Sequence, residues 1–259
     1  NFITTFVYFG TIGAISVEFF NLKEEEFSSY LVSAMFVPVI SALGLISFIA
    51  ILGNYFVCLF DVPFLWLLVI PVFGILQLLP QYVLLIFRNK QQPIAFGRFQ
   101  ILLTLCNIGL SVFFVIYCNQ HWQGRLYGIF CSYFIFSIIS LVVLNKRGYF
   151  KAKIQKQSIR KVFYFGLPLL FHSIGAIIID MSDRLFIDVM LGKHILGLYG
   201  VGYQVGMIML IIQDAFSKAW SPLIYSELKS ADEAKKIKIV KYSYAAWLFF
   251  IVCTTLLYL

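Results

Sequence analysis

A chain of 259 residues that is 61% hydrophobic, 18% aromatic and 12% charged is too apolar for a water-soluble domain, which runs at about 45–50% apolar and about 25% charged. Its apolar runs are continuous rather than alternating with period two, which excludes a membrane β-barrel and leaves a polytopic α-helical membrane protein. The net charge of +8 does not point to nucleic acid, because the cations gather in the connectors between apolar runs.

The runs form about eight segments near the length of a bilayer crossing, about 20 residues each. They are Phe2–Phe20, Tyr30–Gly53, Phe64–Phe87, Phe96–Tyr117, Leu126–Leu144, Phe163–Ile179, Ile195–Phe216 and Tyr242–Leu259. The opening lacks the basic region and small-residue cleavage site of a signal peptide. Asn1 in place of methionine, and an apolar run still in progress at Leu259, read as a piece of a longer protein.

The connectors give an orientation. The first is mixed, with Lys23 against Glu24, Glu25 and Glu26. The third carries Arg88 and Lys90. The fifth carries Lys146, Arg147, Lys151, Lys153, Lys156, Arg160 and Lys161 without an acid, and the seventh carries Lys218, Lys229, Lys235, Lys236, Lys238 and Lys241. The even connectors hold only Asp61, Arg125 and Lys193. Cations concentrate on the cytoplasmic side and acids weigh little in that rule, so the odd connectors are expected inside. The outer connectors Asn54–Pro63, Cys118–Arg125 and Leu191–His194 are short, which argues against a membrane glycan polymerase, ligase or acyltransferase. The fifth connector either links two bundles or anchors the chain on anionic lipids.

Five cysteines, Cys58, Cys106, Cys118, Cys131 and Cys253, are scattered without a CxxC pair and read as small buried hydrophobes. The histidines have no metal-ligand spacing, and no cofactor motif is present. The Gly200–Gly206 run is not a nucleotide loop, since its spacing is wrong and no strand precedes it. Its Gly202 and Gly206 form a GxxxG spacing, which permits close helix packing.

Charge at membrane depth is concentrated at one joint, Asp180, Asp183, Arg184 and Asp188. Asp180–Arg184 and Arg184–Asp188 have i,i+4 spacing and are expected to pair. Counted from Phe163, they fall near the outer boundary, as a helix-capping ion cluster or as a gate or coupling-ion site. His172 lies deeper, as a proton carrier or as a neutral imidazole bonded to a carbonyl freed by Pro168. Pro38, Pro63, Pro71 and Pro80 also interrupt or begin apolar runs. Gln77, Gln81 and Gln204 line a wet path or bond between helices. Arg98 meets a phosphate or snorkels to lipid headgroups. Asp214, Lys218, Trp220 and Pro222 read as the boundary of the seventh segment, with Trp220 in an aromatic belt.

Pro168, His172, Met181-Ser182-Asp183-Arg184, Gly192, Gly197-Leu198-Tyr199, Tyr203-Gln204 and Ala219-Trp220-Ser221-Pro222 resemble the seventh and eighth helices of polysaccharide flippases. These are the O-antigen and capsule translocases of the superfamily that includes multidrug exporters. The Asp-Arg pair recurs in such proteins, whereas Asp180 is less typical of them. The resemblance implies an all-α, two-lobed transporter fold of about 12–14 helices in a bacterial inner membrane. On that mapping residues 1–144 form part of an amino-terminal bundle, 145–162 a basic cytoplasmic connector, and 163–259 the start of a carboxy-terminal bundle. It further implies flipping of a polyprenyl-diphosphate-linked oligosaccharide, coupled to protons or sodium, with no catalytic residues. A multidrug or peptidoglycan-precursor exporter is the alternative.

Overall fold

The computed structural model describes residues 2–60, 64–151, 153–228 and 233–258. Asn1, Asp61, Pro63, Lys229 and Leu259 lie outside the described residues, as do the side chains of Cys58, Lys151, Lys235, Lys236 and Lys238. The helices are α1 (Phe2–Tyr8), α2 (Thr11–Asn21), α3 (Glu24–Phe60), α4 (Phe64–Asn89), α5 (Pro93–Ile116), α6 (His121–Lys146), α7 (Lys156–Leu228) and α8 (Glu233–Tyr258), with a 3-10 turn at Tyr149–Lys151. No strand occurs among the described residues. Five helical stretches are long and apolar enough to cross a bilayer: Glu24–Gly53, Phe64–Asn89, Pro93–Ile116, Gln123–Lys146 and Lys156–Pro222. Large apolar side chains such as Ile51, Ile101 and Leu105 are exposed, which a soluble monomer rarely tolerates in number. The protein is a multi-pass α-helical membrane protein.

The chain divides into two compact units, Asn1–Ala176 and Ile177–Leu259. The core of the first gathers Ile15, Leu31, Leu78, Tyr82, Ile86, Leu144 and Val162 from α2, α3, α4, α6 and α7.

The first apolar segment is not one helix. It breaks at Phe9 and Gly10, with φ of 45° and 64°, left-handed values that glycine adopts without steric cost. The end of α1 leaves carbonyls without helical partners. Thr11 Oγ1 donates to the Tyr8 carbonyl at 2.7 Å and Ser41 Oγ to the Phe6 carbonyl at 2.6 Å. The break lets α7 come close. A Cβ on Gly166 would stand 2.1 Å from the Phe9 carbonyl oxygen, so only glycine fits there.

The prolines do not end their helices: α3 runs through Pro38, and α4 runs through Pro71 and Pro80. Pro80 has no N–H for the Leu76 carbonyl one turn back. Ser137 Oγ of α6 supplies the missing donor at 2.7 Å, sharing its proton with the Tyr133 carbonyl at 2.6 Å. Ser137→Ala strands the Leu76 carbonyl, which in a dry interior costs about 1–3 kcal/mol. A lowered thermal midpoint in detergent, restored by Ser137→Thr, is the expected result.

Helices α5 and α6 pack along much of their length. Gly124 and Gly128 of α6 make this possible. A Cβ at Gly128 would lie 2.4 Å from Ser111 Cα, and one at Gly124 2.9 Å from the Phe114 carbonyl carbon. This is the close approach that small residues four apart allow in lipid. It replaces the packing expected at Gly202 and Gly206, where an added Cβ meets nothing within 4 Å.

The described residues of the basic connector belong to the first unit and pack into it. Arg147 Nη2 donates to Gln92 Oε1 at 3.0 Å, and its guanidinium sits 4.8 Å over the Phe87 ring. Tyr149 is buried, and the Gln155 amide donates to Ser33 Oγ at 2.9 Å. Alongside, Lys90 Nζ meets Glu24 Oε1 at 2.7 Å. Partial burial pulls the Lys90 ammonium down, but Glu24 and Tyr149 together outweigh it and hold the group above the usual lysine range. Glu24, Glu25 and Glu26 occupy the first turn of α3, where the helix dipole favours acids.

Candidate functional site

The second unit is organised by a reversal inside α7. Gly192 has φ 82° and ψ 171°, a backbone conformation reserved almost entirely for glycine. Within this unit it separates two helical arms, residues 177–191 and 193–228. A straight helix would place positions 180 and 203 about 34 Å apart at 1.5 Å per residue. Instead Tyr203 OH donates to Asp180 Oδ1 at 2.6 Å. The arms therefore fold back as an antiparallel hairpin, and both tyrosine–aspartate pairs are centred on Gly192.

The ion pairs expected from i,i+4 spacing do not form. Asp180 takes the Tyr203 hydroxyl, a short charge-assisted bond. Asp183 Oδ2 accepts a longer one from Tyr199 OH at 3.5 Å. The Arg184 guanidinium lies 4.8 Å over the Tyr203 ring, a cation–π geometry. Tyr199 and Tyr203 are one turn apart, their rings 6.1 Å from centroid to centroid. Asp188 is half-buried and makes no hydrogen bond or ion pair. The apolar run 163–179 rises about 26 Å, close to the ~30 Å hydrocarbon core, so this cluster falls at its edge. Among the described residues, no three His, Cys, Asp or Glu side chains converge to hold a metal ion.

The remaining candidates are not drawn into the hairpin cluster. His172 is exposed in the first unit and makes no hydrogen bond, to a carbonyl freed by Pro168 or otherwise. Arg98 is exposed in the second turn of α5, and Gln204 is exposed beside Tyr203; neither has a hydrogen-bond partner among the described residues. Gln81 is half-buried, also without one. Gln77 is engaged in the first unit, where its Oε1 accepts the Tyr8 hydroxyl at 3.1 Å. One turn along, Thr11 Oγ1 and Tyr82 OH lie 3.0 Å apart in the core. This joins α1, α2 and α4 through polar contacts, so Gln77 bonds between helices.

Two groupings escape a reading of the sequence. Arg125 Nη1 bonds Asn107 Oδ1 at 3.0 Å and Ser111 Oγ at 2.8 Å, fastening α6 to α5. The second is a cavity of about 510 Å³ between α2, α3 and α7. Glu18, Tyr30, Arg160, Lys161 and Tyr164 line it. Arg160 Nη2 bonds Tyr164 OH at 3.4 Å, and its guanidinium lies 5.4 Å over that ring. The only sequence signal was the i,i+4 spacing of Arg160 and Tyr164, which straddles the end of the basic connector and the start of the sixth apolar segment.

A profile of the family described as polysaccharide biosynthesis protein matches residues 1–227. The chain belongs to that family. It is 28% identical over 182 residues to an uncharacterized membrane protein of Haemophilus influenzae, covering 69% of this chain and 44% of that protein. It is 30% identical over 116 residues to Lsg locus putative protein 1 of the same organism, covering 44% of this chain and 29% of that protein. The chain thus spans less than half the length of these relatives. No solved structure matches.

In this polysaccharide biosynthesis protein the cavity between α2, α3 and α7 offers two cations, one carboxylate and two phenols. That donor set can meet a phosphate, with the guanidinium held flat by Tyr164. The hairpin cluster offers acids and phenols instead. It can hold the two arms of α7 together and release them when a carboxylate is neutralised or its tyrosine withdrawn.

Proposed function

We propose that this protein translocates a polyprenyl-diphosphate-linked oligosaccharide across the bacterial inner membrane for surface polysaccharide synthesis. The observation that carries the reading is a polysaccharide-biosynthesis match that runs along a series of membrane-crossing helices. A part in polysaccharide synthesis played inside a membrane is most simply the passage of its lipid-linked intermediate. The charge distribution supports a cytoplasmic position for the end of the first unit that carries Lys90, Arg147 and Arg160. The cavity there then faces the leaflet where such intermediates are made, and Arg160 and Lys161 meet the diphosphate.

Alternation comes from rearrangement of helices around a polar path, with the Asp180–Asp188 joint as an outer gate. Protons or sodium drive it, and the exposed Lys153 and Lys156 rest on anionic lipid.

The test is expression of the full-length protein in a strain whose flippase for the same glycan has been deleted. Restored surface glycan, with loss of the lipid-linked intermediate that accumulates in the parent, is the expected outcome. Membrane-inserted protein that restores none of its native glycan overturns the reading. Drug resistance gained without glycan would assign the protein to the exporters instead.

A further inference from the structure

Within the second unit, the arm of α7 that follows Gly192 and helix α8 line an open cavity of about 620 Å³. Among the described residues no charged side chain lines it. One tryptophan comes from each helix, Trp220 and Trp247. Trp220 is held in place: it stacks on Phe216 at 5.6 Å and meets Tyr242 edge-on at 6.2 Å. Trp247 is 71% exposed and takes part in no ring contact. Its indole face is open to the cavity's occupant.

Polar groups line the same cavity. The hydroxyls of Ser243, Thr254 and Thr255 donate to carbonyls one turn back, at 2.9, 2.8 and 2.8 Å. Their lone pairs remain free to accept. Gln213 is exposed, and its amide has no hydrogen-bond partner among the described residues, so it is free to meet a polar ligand.

These features select an occupant. A phosphate would find no cation here. An acyl chain would leave the Gln213 amide unmet. A pyranose ring presents an apolar face of C–H groups and a rim of hydroxyls. The first suits an open indole face, and the second suits an amide and several hydroxyl oxygens. We propose that this cavity binds uncharged glycosyl units, stacked on Trp247 and hydrogen-bonded to Gln213 and the α8 hydroxyls. The proposal rests on the translocation reading for what brings a glycan to the membrane. It deepens that reading by separating a neutral sugar site from the cationic cavity at Arg160 and Lys161.

The probe is the oligosaccharide repeat released from the host's own surface polysaccharide, free of lipid and diphosphate. Purified full-length protein is titrated with it, and acrylamide quenching of tryptophan emission is read together with calorimetric affinity. Wild type is expected to bind the repeat and shield part of its emission. Trp247→Ala is expected to weaken binding about tenfold and remove the shielding, while Trp247→Phe keeps most of both. Gln213→Leu is expected to weaken binding without altering the thermal midpoint. Inorganic pyrophosphate is expected to give no shielding. No binding by wild type, equal binding by Trp247→Ala and Gln213→Leu, or shielding by polyprenyl phosphate alone would overturn the proposal. Binding here by a protein that restores no glycan keeps the sugar site and removes the translocation reading. Restored glycan with affinity untouched in both variants does the reverse.

Discussion

Gly128→Val is expected to disrupt the first unit. Its Cβ alone would stand 2.4 Å from Ser111 Cα and 2.5 Å from the Ser111 amide nitrogen. These are backbone atoms within α5, so no rotamer change can relieve the clash and the helices must separate. Separation also breaks the Arg125 bonds to Asn107 and Ser111. Overpacking typically costs about 1–3 kcal/mol, and more where backbone must shift. The measurement is the folded fraction recovered in detergent, by size exclusion and thermal midpoint. Gly109→Ala on α5 is the control, since a Cβ there meets nothing within 4 Å. In a helix interior that change is expected to be neutral or to stabilise by up to about 1 kcal/mol. Equal behaviour of the two variants would remove the close-packing account of α5 and α6.

The same comparison shows what the sequence could and could not reveal. Composition alone establishes the membrane class, because apolar runs of crossing length have no soluble home. Helix positions for the second to fifth segments followed from the same runs. Gly192 was legible as a turn between two apolar runs, although the turn is tighter than the Leu191–His194 connector implied. The two GxxxG spacings were indistinguishable. Gly124 and Gly128 face a neighbouring helix closely and Gly202 and Gly206 do not, and nothing local encodes which helix stands opposite. The break at Phe9 and Gly10 was hidden for a similar reason. Both residues sit inside a run that is apolar throughout, and Ser41, which satisfies the break, is a distant position. The hairpin cluster is the clearest case. Local spacing offered Asp180 and Arg184 each other at i,i+4. The fold offered each of them Tyr203, a partner 23 or 19 residues away whose approach depends on the reversal at Gly192. A cavity is legible least of all, since Arg160 and Glu18 belong to segments with unrelated patterns.

Arg184→Ala is expected to reduce glycan export about two- to fivefold at normal membrane level. The guanidinium lies 4.8 Å over the Tyr203 ring, and Tyr203 in turn holds Asp180 at 2.6 Å. Removing Arg184 takes away the cation that steadies the phenol and leaves the acids of the joint less compensated. Arg184 is exposed, so the contact lies at the weak end of the cation–π range. If it forms in only one of two arrangements of the hairpin, losing it shifts their balance by about two- to fivefold. Arg184→Lys is expected to recover little, because an ammonium keeps the charge but not the planar face that stacks. Lys153→Ala, an exposed cation without a partner, is expected to export normally. Tyr203→Phe separates the two contacts: it keeps the ring for Arg184 and removes the hydroxyl from Asp180. Loss of export in Tyr203→Phe comparable to Arg184→Ala would make the hydroxyl–carboxylate bond the latch. Normal export in Tyr203→Phe with loss in Arg184→Ala would make it the stack. Normal export in both, at matched membrane levels, would remove the hairpin cluster from the transport cycle and leave it as a cap that fixes the depth of α7.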